Sequence, residues 1–211
     1  MTRGFTAITE MESNQDRQSF AIHPYQIFVY LLIGAITVLF LSLTIAYGYT
    51  RWEKGIQPLR VPLIFVLNTL LLVSSSVCLV RAKKAYLDDN TADYKQMLLS
   101  TIILSVLFMI SQAFGWYRLF NMDLPLGINN GVSYLYLISA VHFAHILAGM
   151  PFLISFYRTA AKRMVEPVSV LLYFSNPEKK VKLNLLTVYW HFLDILWIYL
   201  VVFFWINYLF S

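Results

Sequence analysis

An all-α membrane bundle is the fold class this sequence predicts, and three observations predict it. Of the 211 residues, 59% are hydrophobic and only 13% charged, with 16 Phe, 14 Tyr and 5 Trp, which no ordinary soluble domain shows. Five stretches carry no Lys, Arg or Glu and only one Asp, and each is long enough to cross a ~30 Å hydrocarbon core as a helix. None of them breaks into ten-residue segments of alternating hydrophobicity, so helices that satisfy their own backbone groups are expected rather than a barrel.

Taken in order, the first stretch, Tyr25 to Gly48, is uninterrupted and is followed by Tyr49 and Trp52, aromatics suited to an interfacial belt. Val61 to Val80 holds Asn68, Thr69, the run Ser74 to Ser76 and Cys78. Gln96 to Tyr117 holds Ser111 and Gln112 and closes on Trp116 and Tyr117. Ser133 to Tyr157 carries Ser139, Ala140, Ala144, Ala148 and Gly149, small residues that suit close helix packing in lipid, and Pro151, which is expected to bend the helix. Leu183 to Ser211, with its membrane part at about 185–209, contains the single acidic residue, Asp194, and ends among Trp205 and Tyr208. Everything from residue 25 to 211 reads as one five-helix domain.

Basic residues set the expected orientation. The amino-terminal segment and the second and fourth loops carry twelve Lys or Arg, against four in the first and third loops and the tail. The first set should be cytoplasmic, placing the amino terminus inside and the carboxyl terminus in the periplasm. Residues 1–24 have no apolar core of the signal-peptide kind and read as a polar cytoplasmic extension. The net charge of +5 is then a topology signal and a contact with anionic headgroups, and nucleic acid is not an expected partner. Residues 168–180, VSVLLYFSNPEKK, fit either a segment lying along the cytoplasmic interface or an irregular loop, with Asn176-Pro177 as a turn signal. One cysteine, Cys78, excludes an intrachain disulfide and any site needing two thiolates from this chain.

Polar groups at membrane depth are where function is normally sought. His142 and His145 share a helix face, as do His191 and Asp194. At 1.5 Å per residue His145 lies ~18 Å down from Ser133 and Asp194 ~14 Å up from Leu185, so antiparallel neighbours could bring the pairs together. Three arrangements are open on this pattern: a hydrogen-bonded cluster that fixes helix register, a proton relay, or a metal site of three His and one Asp. Three membrane histidines are too few for two haems and a copper, so redox chemistry is expected in other chains. Single interior prolines and the absence of repeats argue against a transporter.

With these residues in view, the chain resembles subunit III of haem-copper respiratory oxidases, the cytochrome c oxidase subunit 3 family, in its five-helix form. Tyr189, Trp190, His191, Phe192, Asp194 and Trp197 fall on the family's final-helix pattern, and His142, His145 and Gly149 on its histidine pair and following glycine. Asn68, Thr69, Leu72 and Ser75 match a third set of positions, and Gln112 with Trp116 a fourth. The resemblance implies a non-catalytic subunit of a proton-pumping terminal oxidase that works in aerobic respiration. It implies that the chain binds no haem, copper or other metal, that haem and copper sit in partner subunits, and that phospholipid is held between helices. Oxidase subunits I and II are the implied partners, within a bacterial inner membrane, and a larger respiratory supercomplex is compatible with the resemblance. A quinol oxidase or an accessory subunit of nitric oxide reductase is the related alternative; an intramembrane metal enzyme built on the His and Asp residues is the alternative of another class. Two family carboxylates are missing, at positions near Ile36 and at Gly115, which leaves Asp194 as the only acidic group within the spans.

Overall fold

The computed structural model describes residues 24–56, 63–121, 130–164 and 167–210. The described residues form six helices: α1 (Pro24–Lys54), α2 (Leu63–Leu87), α3 (Thr91–Asn121), α4 (Asn130–Arg163), α5 (Pro167–Phe174) and α6 (Pro177–Leu209). Five of these, all but α5, are long and apolar enough to cross a membrane, and the chain is a multi-pass membrane protein. The expected amino-terminal extension lies outside the described residues, apart from Pro24, which opens α1.

The helices outrun the apolar stretches that predict them, because a helix continues into the headgroup region where charged side chains are welcome. α1 runs on to Lys54, and α6 starts at Pro177, well before Leu183. The Asn176-Pro177 pair is therefore a helix start and not a turn: Asn176 is the N-cap, its side chain accepts the Lys179 backbone N–H at 3.3 Å, and Pro177 begins the first turn, where its missing N–H costs nothing. Of the two arrangements open for residues 168–180, a short helix, α5, is the one formed.

α2 and α3 form a long antiparallel pair, and α6 sits against α2, α4 and α1. Their connection is tight. Asp89 takes a left-handed conformation (φ 54°), and Asn90 caps α3 by accepting the Asp93 backbone N–H at 3.2 Å while donating from Nδ2 to the Asp93 carboxylate at 2.8 Å. α6 is the hub of the bundle, since Trp190, Leu193, Trp197 and Leu200 are all nearly inaccessible. Phe65 of α2 stacks on Trp197 with planes 6° apart, and Phe108 of α3 meets the same indole edge-on at 5.3 Å between centroids. α4 uses Ser139, His142 and Gly149 on its inner face, whereas Ala140, Ala144 and Ala148, four residues apart, line its outer face. The small residues therefore split between the two sides of this helix.

Candidate functional site

The interior polar residues converge on α6 from both sides, and the contacts they make have a direction. Asn68 of α2 donates to the Gln112 side-chain oxygen on α3 at 2.7 Å and accepts from the Ser111 hydroxyl at 2.5 Å. About two turns further along, Ser105 donates its only hydroxyl proton to its own helix at the Thr101 carbonyl, 2.7 Å. The 3.2 Å contact between Ser75 and Ser105 must then use the Ser75 proton, and Ser75 accepts from Trp190 Nε1, also at 3.2 Å. Trp190, Ser75, Ser105 and Thr101 thus make one chain of donors across three helices. Thr69 turns back on its own helix, donating to the Phe65 carbonyl at 2.9 Å.

On the other side of α6, His142 is fully buried and its Nε2 lies 3.0 Å from the Leu193 carbonyl of α6. A carbonyl only accepts, so Nε2 carries the proton, and Nδ1 is left without a hydrogen-bond partner among the described residues. His145 donates from Nδ1 to the Val141 carbonyl of its own helix at 2.7 Å, and Tyr189 of α6 donates its hydroxyl to the His145 carbonyl at 2.9 Å. Gly149 permits this approach: a Cβ there would sit 2.9 Å from a Trp190 ring carbon and 3.0 Å from one of Tyr189. Trp116 of α3 donates to Ser139 of α4 at 2.9 Å, and Tyr136 returns a bond to the Trp116 carbonyl at 3.2 Å.

His191 and Asp194 look elsewhere. His191 Nδ1 is hydrogen-bonded to the Ser76 hydroxyl of α2 and lies 4.0 Å from an Asp194 carboxylate oxygen. The Asp194 side chain is almost wholly buried, and among the described residues neither oxygen has a hydrogen-bond partner. The expected four-residue cluster is therefore corrected to two pairs: His142 and His145 bond to backbone carbonyls, while His191 and Asp194 face α2. The reason is angular, since on α6 the Leu193 carbonyl and Tyr189 face α4 whereas His191 points about a quarter-turn or more away. α4 and α6 are tied by side chain to backbone, with no imidazole bonded to the carboxylate. Among the described residues no three His, Cys, Asp or Glu side chains are grouped as a metal ion would need, so this donor set does not fit a metal.

Sequence reasoning singled out Asn68, Ser75, Gln112, Trp116 and Trp190 and read Ser74 to Ser76 as bonding to their own helix or a neighbour, but it missed Ser105 and Thr101 on α3, which continue the chain from Ser75. Ser105 is four residues from Thr101, so back-bonding within α3 was legible, but the helix it would face was not.

The model of the family "Cytochrome c oxidase subunit III" matches residues 20–208, all five spans. The chain belongs to this family. Subunit 3 of cytochrome c oxidase from the sea star Patiria pectinifera is 30% identical over 165 residues, covering 77% of this chain and 57% of that protein. The Anopheles gambiae subunit 3 is 31% identical over 168 residues, with the same two shares. The bacterial subunit 3 of Corynebacterium diphtheriae is 25% identical over 166 residues, covering 78% of this chain and 75% of its own length. The chain thus spans little more than half the length of the animal subunit III relatives. At the two positions where the resemblance implies a carboxylate, the interior is packed: Ile36 is 2% exposed in the core, and a Cβ on Gly115 would meet Ile64 of α2 at 3.2 Å.

Proposed function

We propose that the chain is the non-catalytic subunit III of a proton-pumping haem-copper terminal oxidase, held with subunits I and II in a bacterial plasma membrane. The observation that carries this reading is the extent of the family match, which runs through every span. In this role haem and copper belong to the partner subunits, and this chain braces the catalytic core, binds phospholipid and supports proton uptake. The interior chemistry supports a bracing role: the buried side chains of Asn68, Gln112, Ser75, Ser105, Ser139 and His142 each hold one helix to another. Such links are individually modest in lipid, about 0.6 to 2 kcal/mol each, and their value is in fixing register. The amino terminus faces the cytoplasm and the carboxyl terminus the periplasm, by the excess of basic residues on the first side.

An affinity tag on this chain, with extraction from native membranes in a mild detergent, tests the reading. Haem-containing polypeptides with a reduced-minus-oxidised spectrum should copurify in fixed ratio. A colourless polypeptide purifying alone would overturn it.

A further inference from the structure

Between α1 and α2 a strip of α6 stays uncovered, and it carries a polar centre that its surroundings cannot satisfy. His191 is about one-third exposed there: its Nδ1 is engaged by Ser76, and Nε2 has no hydrogen-bond partner among the described residues. Beside it lies the Asp194 carboxylate, whose side chain is 7% exposed, with Ser76 as its neighbour on α2 and one oxygen 4.0 Å from His191 Nδ1. The depth follows from a neighbouring bond. Lys83 of α2 donates to the Asn184 side-chain oxygen of α6 at 2.5 Å, which marks the level where an ammonium group reaches the headgroups. His191 is seven residues further along α6, about 10 Å deeper.

At that depth acyl chains offer no hydrogen bond, and an exposed imidazole nitrogen is costly. The flanks are shaped for a helix. Val66, Val73 and Val80, seven residues apart, are 40–50% exposed along the adjoining edge of α2, and Ile195, Ile198 and Val202 are 38–66% exposed along α6. These β-branched side chains make two smooth ridges with the polar centre between them.

We propose that this seam receives a transmembrane helix of a different polypeptide, which sets a neutral hydrogen-bonding side chain (Ser, Thr, Asn, Gln, Tyr or Trp) against His191 Nε2. The inference rests on the oxidase reading for the partner's identity, a haem-bearing subunit. Ser76 is a positioning residue, its hydroxyl holding the imidazole plane toward the incoming helix.

Photo-crosslinking in native membranes tests this. A benzoylphenylalanine at Val73 or Ile195 should crosslink to a haem-bearing polypeptide, whereas the same probe at Val38, 65% exposed on α1, should not. His191→Phe should weaken retention of that polypeptide about three- to thirtyfold, the size of one lost intramembrane hydrogen bond, and His191→Gln should restore part of it. A control melt in detergent separates this from misfolding, since the variants should keep the helical signal and the unfolding midpoint of the parent. Crosslinks from Val73 and Ile195 to lipid alone, or to a second copy of this chain, would overturn the proposal, as would undiminished retention by His191→Phe. If the tagged parent carries haem proteins and these tests fail, the seam proposal falls and the oxidase reading stands; if the parent carries none, the oxidase reading itself falls.

Discussion

At the scale of single residues, Gly149 is where α4 comes closest against the rings of Trp190 and Tyr189. Gly149→Ala places a methyl group inside the contact distance of two aromatic rings, and both rings are buried. Overpacking of this kind costs about 1 to 3 kcal/mol, so the variant should lose thermal stability in detergent, and Gly149→Val should lose more. A melting series checks this; an unchanged midpoint for the alanine variant would mean that α4 and α6 pack less closely than the geometry has them. Asn68 makes a different prediction, because its amide bonds both Gln112 and Ser111. Asn68→Leu strands both partners in the interior and should cost about 1 to 3 kcal/mol. The double variant Asn68→Leu/Gln112→Leu should cost less than the sum of its singles, a coupling that a double-mutant cycle of unfolding free energies would measure. The sequence named these residues as polar and deep but could not pair them, since pairing depends on which faces of α2 and α3 meet.

At the scale of elements, helix ends depart from the sequence reading, since Asn176-Pro177 starts α6 rather than a turn. Asn90 is followed three residues later by Asp93, a capping pattern, and the two side chains satisfy each other across the start of α3. Asn90→Ala should destabilise the α2–α3 pair by about 1 kcal/mol, and hydrogen exchange at the first turn of α3 should rise with it. α5 owes its position to aromatic contacts far away in sequence. Tyr86 donates toward the Tyr173 carbonyl at 3.1 Å, within reach of the Phe174 carbonyl at 3.3 Å, and Lys179 lies 3.6 Å from the Tyr173 ring centroid. Tyr86→Phe removes the only donor offered to those carbonyls by this side chain and keeps the ring packing, so α5 should show faster exchange while the spanning helices do not. Leu171 and Leu172, 66% and 68% exposed, are then left facing outward beside a basic cluster, as a helix at a headgroup interface would have them. Composition alone could not separate that helix from a loop, because eight residues are too few for periodicity to decide.

At the scale of the whole molecule, the asymmetry of basic residues makes a topology prediction. Reporter fusions should read the amino terminus as cytoplasmic and the carboxyl terminus as periplasmic, with Lys179 and Lys180 in the first turn of α6 on the cytoplasmic side. Reporters giving the reverse would place the Lys83 level at the periplasmic headgroups, with His191 still about 10 Å below it. The surface of the bundle is almost entirely apolar, so its partners, whether lipid or protein, meet it through hydrocarbon contacts. Polar exceptions at depth are therefore informative out of proportion to their number, and His191 is the clearest among them.

Length and hydropathy of the spans and the motif residues they carry were enough to determine the number of spans, the family and the positions where polar groups enter the membrane. These are local properties, and lipid enforces them by leaving a buried backbone no partner but its own helix. Only the packed bundle decided which way those groups turn. His142 bonds a carbonyl of α6, His191 a hydroxyl of α2, and the carboxylate of Asp194 joins neither histidine of α4. Depth follows from counting residues, but azimuth depends on how three helices pack around α6, and rotating a helix by a quarter-turn changes every partner while leaving its sequence pattern untouched.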